Sequence, residues 1–128
     1  MSSLDQFHKQ NYLNIETYRK TGVGVRTPVW FVLDDHTFYV RTQADSGKVK
    51  RIRNNPQVKI APCKMDGTLL DDWIPATARE IKGAETDKEI DRQFDKKYGL
   101  MKKLFALGGS LQRRQETILE IKVSQEHN

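Results

Sequence analysis

Between Val40 and Pro56 the chain carries five basic side chains, Arg41, Lys48, Lys50, Arg51 and Arg53, against one acid, Asp45. That stretch accounts for +4 of the formal net charge of +5, so the cationic character of the protein is concentrated in it. Its residue types predict the end of a strand at Val40 to Thr42, a polar turn, and a short basic helix that Asn54-Asn55-Pro56 stops. A helix start leaves backbone N–H groups without intrahelical partners. Gly47 beside them and cations within reach suit a phosphate. A solvated basic helix face is the alternative reading of the same charges.

Other chemistry has little to stand on. The chain lacks a G-x-S-x-G elbow, a phosphate loop ending in Gly-Lys-Ser/Thr and an H-E-x-x-H helix. Ser46 and Cys63 are nucleophiles in side-chain type only, and the adjacent acids Asp71 and Asp72 would point to opposite faces of a strand. Catalytic residues therefore stay unassigned. The single Cys63 excludes an internal disulfide and a multi-cysteine zinc site, which fits a reducing cytoplasm. His8, His36 and His127 lie far apart with no carboxylate at metal-ligand spacing, so no metal site is expected. No apolar run approaches the roughly 20 residues of a membrane span, and the N-terminus carries no secretory pattern.

The elements that must position the basic stretch follow from periodicity. Leu4 to Gln10 predicts a short helix with Leu4 and Phe7 on one side. Leu13, Ile15 and Thr17 alternate with polar neighbours as a half-buried strand, and Arg19 to Gly22 reads as a turn. Val23 to Leu33 reads as one long strand in which Pro28, unable to donate to a ladder, marks an edge or a bulge. Asp34-Asp35-His36 turns into a third strand, Thr37 to Thr42. Gln57 to Cys63 and Trp73 to Lys82 are further strands around a turn at Asp66-Gly67, and Gly83 closes the second. Thr86 with Glu89 has the form of a capping box, opening a helix with Ile90 and Phe94 buried that ends near Tyr98-Gly99. Leu100 to Leu107 continues helical spacing to Gly108-Gly109, and Thr117 to Val123 is the last strand, before a polar tail from Ser124 expected to fray. Six mostly antiparallel strands with three or four short helices point to a mainly β, α+β fold of the small-barrel kind.

Val25-Arg26-Thr27-Pro28-Val29-Trp30-Phe31-Val32, Phe38 to Thr42, Ser46 to Val58 and Ala61-Pro62-Cys63 together resemble the pyridoxamine 5′-phosphate oxidase-like superfamily. Within it, the chain is similar to the small enzymes that depend on the deazaflavin F-420. The resemblance covers most of the chain, including Trp73 to Arg79 and Lys97-Tyr98-Gly99. It implies that residues 1–128 form one antiparallel split β-barrel domain of the FMN-binding type. It also implies a homodimer with F-420 or FMN in clefts at the subunit interface. By this resemblance Lys48 holds the cofactor phosphate, Arg41 and Thr42 sit beside it, and Arg26, Thr27, Pro28 and Val29 run along the ring system. Lys50 and Arg51 face the cofactor tail or solvent, and Trp73 reaches the cleft or packs on the barrel.

The activity so implied is hydride transfer between the cofactor and a small conjugated substrate, with a cofactor-storing protein as the alternative. The C-terminal Arg and Trp contacts of true pyridoxamine phosphate oxidases have no equivalent after Val123, which argues against vitamin B6 synthesis. Arg26 stands where many deazaflavin-linked relatives have a small residue. A basic barrel that binds nucleic acid is the reading from another class. It would need exposed aromatics, yet Trp30-Phe31 and Phe38-Tyr39 are consecutive pairs, so half of them should face the core.

Overall fold

The computed structural model of the chain describes residues 3–81, 84–107 and 116–123. After a 3-10 helix at Ser3–Phe7 come β1 (Tyr12–Tyr18), β2 (Gly24–Trp30), β3 (Val32–Asp34), β4 (Thr37–Gln43) and α1 (Gly47–Asn54). Then follow β5 (Gln57–Cys63), β6 (Ile74–Ile81), α2 (Ala84–Leu107) and β7 (Glu116–Val123). The seven strands form one sheet in the order β2-β1-β5-β6-β7-β4-β3, antiparallel throughout.

That order dictates the shape. β2 and β3 are separated in the chain by Phe31 alone, yet they occupy opposite ends of the sheet. One residue spans less than about 4 Å, so the sheet must curl until its two ends meet. The result is a barrel whose seam runs through Phe31, with β2 and β3 unpaired to each other: the split barrel the sequence implies.

The expected strand from Val23 to Leu33 is therefore two strands, and the count is seven where six were expected. The break has a physical cause. Phe31 N–H donates to the Tyr98 hydroxyl at 3.1 Å, and the Phe31 carbonyl accepts from Lys97 Nζ at 2.9 Å and from the Tyr98 hydroxyl. Side chains of α2 thus take the bonds a ladder would use.

Inside the barrel Leu13, Ile15, Phe38, Val40, Val58, Ile60, Leu119 and Ile121 make the core. Leu4 and Phe7 of the 3-10 helix complete it, and Val49 and Ile52 of α1, three apart on one helix face, join the same core. On the outside, α2 lays Ile90, Phe94 and Tyr98 over Val32 and Ile118, with Trp30 and Tyr39 packed against them. Phe31 and Phe38 are buried, as the alternation predicts, and Trp30 stacks on Tyr98 at 4.6 Å between ring centroids.

The helices differ from expectation. α2 starts at Ala84, which puts Thr86 in its first turn where an N-cap was expected, and runs through Gly99 as one 24-residue helix. A glycine inside a helix costs about 1 kcal/mol, an amount that packing overrides. The expected features at Gly83, at Gly108-Gly109 and from Ser124 onward lie outside the described residues, as do the side chains of Thr86 and of Leu100 to Leu107. The remaining turns form as read. Gly22 and Gly67 take φ +92° and +91°, and Thr68 N–H donates to Asp66 at 2.9 Å. No described helix is long and apolar enough to cross a membrane.

Candidate functional site: a cationic end of the barrel

Helix α1 begins after Ser46, whose backbone is extended and whose side chain makes no capping bond. The Ser46 hydroxyl is buried and has no protein partner. Native structures rarely leave such a group unsatisfied, and a polar ligand is one way to satisfy it. Asn55 ends the helix in extended backbone, its N–H donating to the Arg51 carbonyl at 2.8 Å.

Two cations of α1 lie against the barrel wall. Lys48 is half-buried and donates to Thr42 Oγ1 at 2.9 Å, while Arg51 Nε donates to Thr17 Oγ1 at 2.6 Å. Burial first, then the Arg51 charge, lowers the Lys48 pKa. Arg51 is in turn lowered by burial and then by Arg19. Charged side chains that are desolvated and repelled by one another gain from an anion placed between them. Thr117, opposite Thr42 in the β4–β7 register, adds a second buried hydroxyl without a partner.

Beside this row a cavity of about 590 Å³ opens between the β1–β2 turn and α1. Arg19, Lys20, Lys50 and Arg51 line it together with Gly47 and Asn54, and no carboxylate does among the described residues. Gly47 is needed for this packing, because a Cβ there would lie 2.8 Å from Arg51 Nη1.

The residues singled out in the sequence fall into four groups. Thr42, Lys48, Lys50 and Arg51 gather around α1. Arg41, one residue from Thr42 on the same strand, faces the other way and meets Glu116 at 3.2 Å and Asp91 at 3.6 Å. Arg26 and Trp73 meet within one chain: the Arg26 guanidinium lies 5.0 Å from the Trp73 ring centroid and pairs with Glu16 at 3.0 Å. Burial works against the Glu16 charge, but hydrogen bonds from Tyr18 and Arg26 leave its pKa below the usual value. Tyr18, partly buried and bonded to Glu16, is pushed up to about 12.

Thr27, Pro28 and Val29 pair with Ile15, Asn14 and Leu13 of β1, on the strand that ends the sheet order. Pro28 marks that edge, as its chemistry requires. Asn14 donates to the Gly67 carbonyl at 3.1 Å, but its buried Oδ1 has no partner. Of the remaining candidates, Cys63 is buried, with its thiol raised to about 11 by burial and then by Asp66, and is no nucleophile near neutrality. Asp71 and Asp72 lie exposed before β6. Among the described residues no group of His, Cys, Asp or Glu suits a metal.

Sequence reasoning passed over Thr17, Arg19 and Lys20. The last two were legible only as adjacent cations in a turn, and their approach to α1 is a tertiary fact.

Solved structures share this fold. The heme storage protein HutZ from Vibrio cholerae superimposes with a TM-score of 0.72 at 14% identity, over 95% of this chain and 87% of that one. General Stress Protein 26 from Bacillus anthracis gives 0.64 at 16% identity over 93% and 84%. An F-420 reductase gives 0.55 at 13% identity over 98% and 95%. No curated protein matches in a sequence comparison. A match to the family model for Pyridoxamine 5'-phosphate oxidase spans residues 3–128, and the chain belongs to that family.

Proposed function

We propose that this protein is an oxidoreductase that binds a phosphate-bearing flavin-type cofactor, F-420 by preference over FMN, and exchanges hydride with a small conjugated substrate. The observation that carries the proposal is the pair Lys48 and Arg51, partly desolvated and mutually repelling, next to the orphaned Ser46 hydroxyl and a cavity that Arg19 and Arg51 line with no carboxylate among the described residues. These residues fit a phosphate. Lys48 supplies a point charge already steered by Thr42, Arg51 supplies a planar donor set steered by Thr17, and the first turn of α1 supplies N–H groups. The edge strand around Pro28 is suited to lie along a ring system, with Arg26 and Trp73 as its polar and aromatic neighbours.

When bound, such a cofactor carries the redox chemistry itself, and the protein binds, orients and excludes water. This division of labour accords with the absence of an acid/base pair in the sequence. We further propose a cytoplasmic homodimer. The exposed apolar side chains of Met65, Leu69 and Leu70 on the β5–β6 connection are the support for a covered face there, alongside the family likeness.

The test is an absorption and fluorescence titration of the purified protein with FMN and with F-420, followed by turnover with a reducible conjugated acceptor. Saturable binding of one of the two with turnover supports the reading. Tight binding without turnover would make the protein a cofactor store, and no binding of either would refute the proposal.

A further inference from the structure

Three strands change character where their inward rows reach α1. Leu13 and Ile15 are followed by Thr17 on β1, Phe38 and Val40 by Thr42 on β4, and Ala76 and Ala78 by Glu80 on β6. Each of these polar ends is taken by one cation of the helix: Arg51 donates to Thr17 at 2.6 Å, Lys48 to Thr42 at 2.9 Å, and Arg53 to the two Glu80 oxygens at 3.0 and 3.2 Å. β7 repeats the pattern, with Ile121 and Leu119 leading to Thr117. Thr117 stands directly opposite Thr42, which puts their Cβ atoms roughly 5 Å apart on the same face of the sheet. It is only 5% exposed, yet its hydroxyl has no partner. The remaining cation of α1, Lys50, is exposed on the cavity side.

We propose that Thr117 is a phosphate-binding residue by which this protein tells a phosphorylated cofactor from its phosphate-free form. The inference rests on the phosphate seat of the proposed function and adds to it a group from β7, a strand remote from α1 in sequence. A threonine hydroxyl carries one donor and two acceptor positions. Thr42 uses an acceptor position for Lys48, whereas Thr117 across the ladder has its donor and its acceptors unused. A phosphate oxygen held by the Lys48 ammonium accepts from Thr117 on one side and from Ser46, two residues ahead of Lys48, on the other. One anion thus satisfies both orphaned hydroxyls. For the fold alone valine would serve better at this position, since it has the same shape, suits a strand as well and leaves nothing unpaired. A buried hydroxyl that destabilises the empty protein and points to the same anion as its neighbours is a binding group.

The test is a fluorescence titration of wild type, Thr117→Val and Thr117→Ser with two pairs of compounds, FMN with riboflavin and F-420 with its phosphate-free deazaflavin. In whichever pair the wild type binds, T117V should lose at least about tenfold in affinity for the phosphorylated member, the effect of one hydrogen bond to a charged group, and less than about twofold for the other. T117S keeps the hydroxyl and should stay within about threefold of wild type for both. Thermal melts without cofactor should place T117V at or above wild type, because an unpaired buried hydroxyl has given way to a methyl. Equal losses for both members of a pair, no loss for either, or a T117S protein as weak as T117V would overturn the proposal. So would a T117V protein that melts well below wild type, since its hydroxyl would then be paired within the fold. Failure of the wild type to bind any of the four compounds would refute the functional reading itself, and this inference with it.

Discussion

Phe31 and Ser46 both stand where regular structure stops, and the molecule treats them in opposite ways. At Phe31 the interrupted ladder is repaired: Tyr98 and Lys97 bond both backbone groups, the Tyr98 hydroxyl also reaches the Asn11 carbonyl at 2.8 Å, and aromatic rings pack around the junction. At Ser46 the backbone N–H bonds the Gln43 carbonyl at 3.0 Å, but the side chain is left without a partner. The helix start is uncapped by a side chain, and cations face cations. A site that satisfies its own polar groups holds the fold together, whereas one that does not leaves groups that a ligand from outside can satisfy.

The sharpest way to break this contrast is Tyr98→Phe. It removes the hydroxyl that serves Phe31 and Asn11, and each buried group left unpaired costs roughly 1–3 kcal/mol. Denaturant unfolding should show a clear loss of stability, with cofactor affinity nearly unchanged. A Tyr98→Phe variant as stable as wild type would show that the seam is not held by these bonds.

A smaller effect in the opposite sense is expected from Gly47→Ala. The new Cβ would meet only the end of the flexible Arg51 side chain, so the fold should tolerate it. Displacing that guanidinium from the helix start should weaken cofactor binding by about 1 kcal/mol, roughly fivefold. Fluorescence titration of this variant, with a thermal melt beside it, checks both halves; lost stability with intact binding would reverse the assignment.

A pH-dependent effect belongs to Lys97. Its amine titrates at about 8 in the folded protein against an ordinary 10.5, so between these values the unfolded chain binds more protons and stability rises with pH. Below that window the cost of burying the charge is present in full. K97R stays charged throughout, so the stability of wild type relative to K97R should grow between pH 7.5 and 9.5. The rise of Cys63, which acts in the opposite sense, is common to both proteins and drops out of the comparison. A gap that stays constant across the two pH values would mean that Lys97 is no more desolvated than a surface lysine.

The two regions were not equally legible in the sequence. The basic helix was, because its signals are local: a polar entry, a run of basic residues, and an Asn-Asn-Pro stop. Strand parity also foretells that Arg41 and Thr42 part company, a consequence visible once Lys48 is seen to bond Thr42. The split at Phe31 was hidden. Nothing between Val23 and Leu33 breaks the β pattern at Phe31, and the groups that interrupt the ladder come from side chains 66 and 67 positions away. Arg19 and Lys20 were hidden for the same reason. They read as a turn until the barrel brings that turn against α1.

The central claim is that the α1 start is a specific phosphate seat. Titrating F-420 and FMN by fluorescence into Lys48→Ala, Lys50→Ala and Arg53→Ala tests it most directly. Lys48 is half-buried and steered by Thr42, so its loss should weaken binding by about 1.5–3 kcal/mol, roughly ten- to a hundredfold. Lys50 is exposed and should matter less, and Arg53, committed to Glu80 at 3.0 Å, should not matter. Equal small losses at all three positions would contradict the account and leave a diffuse patch of charge in place of a seat.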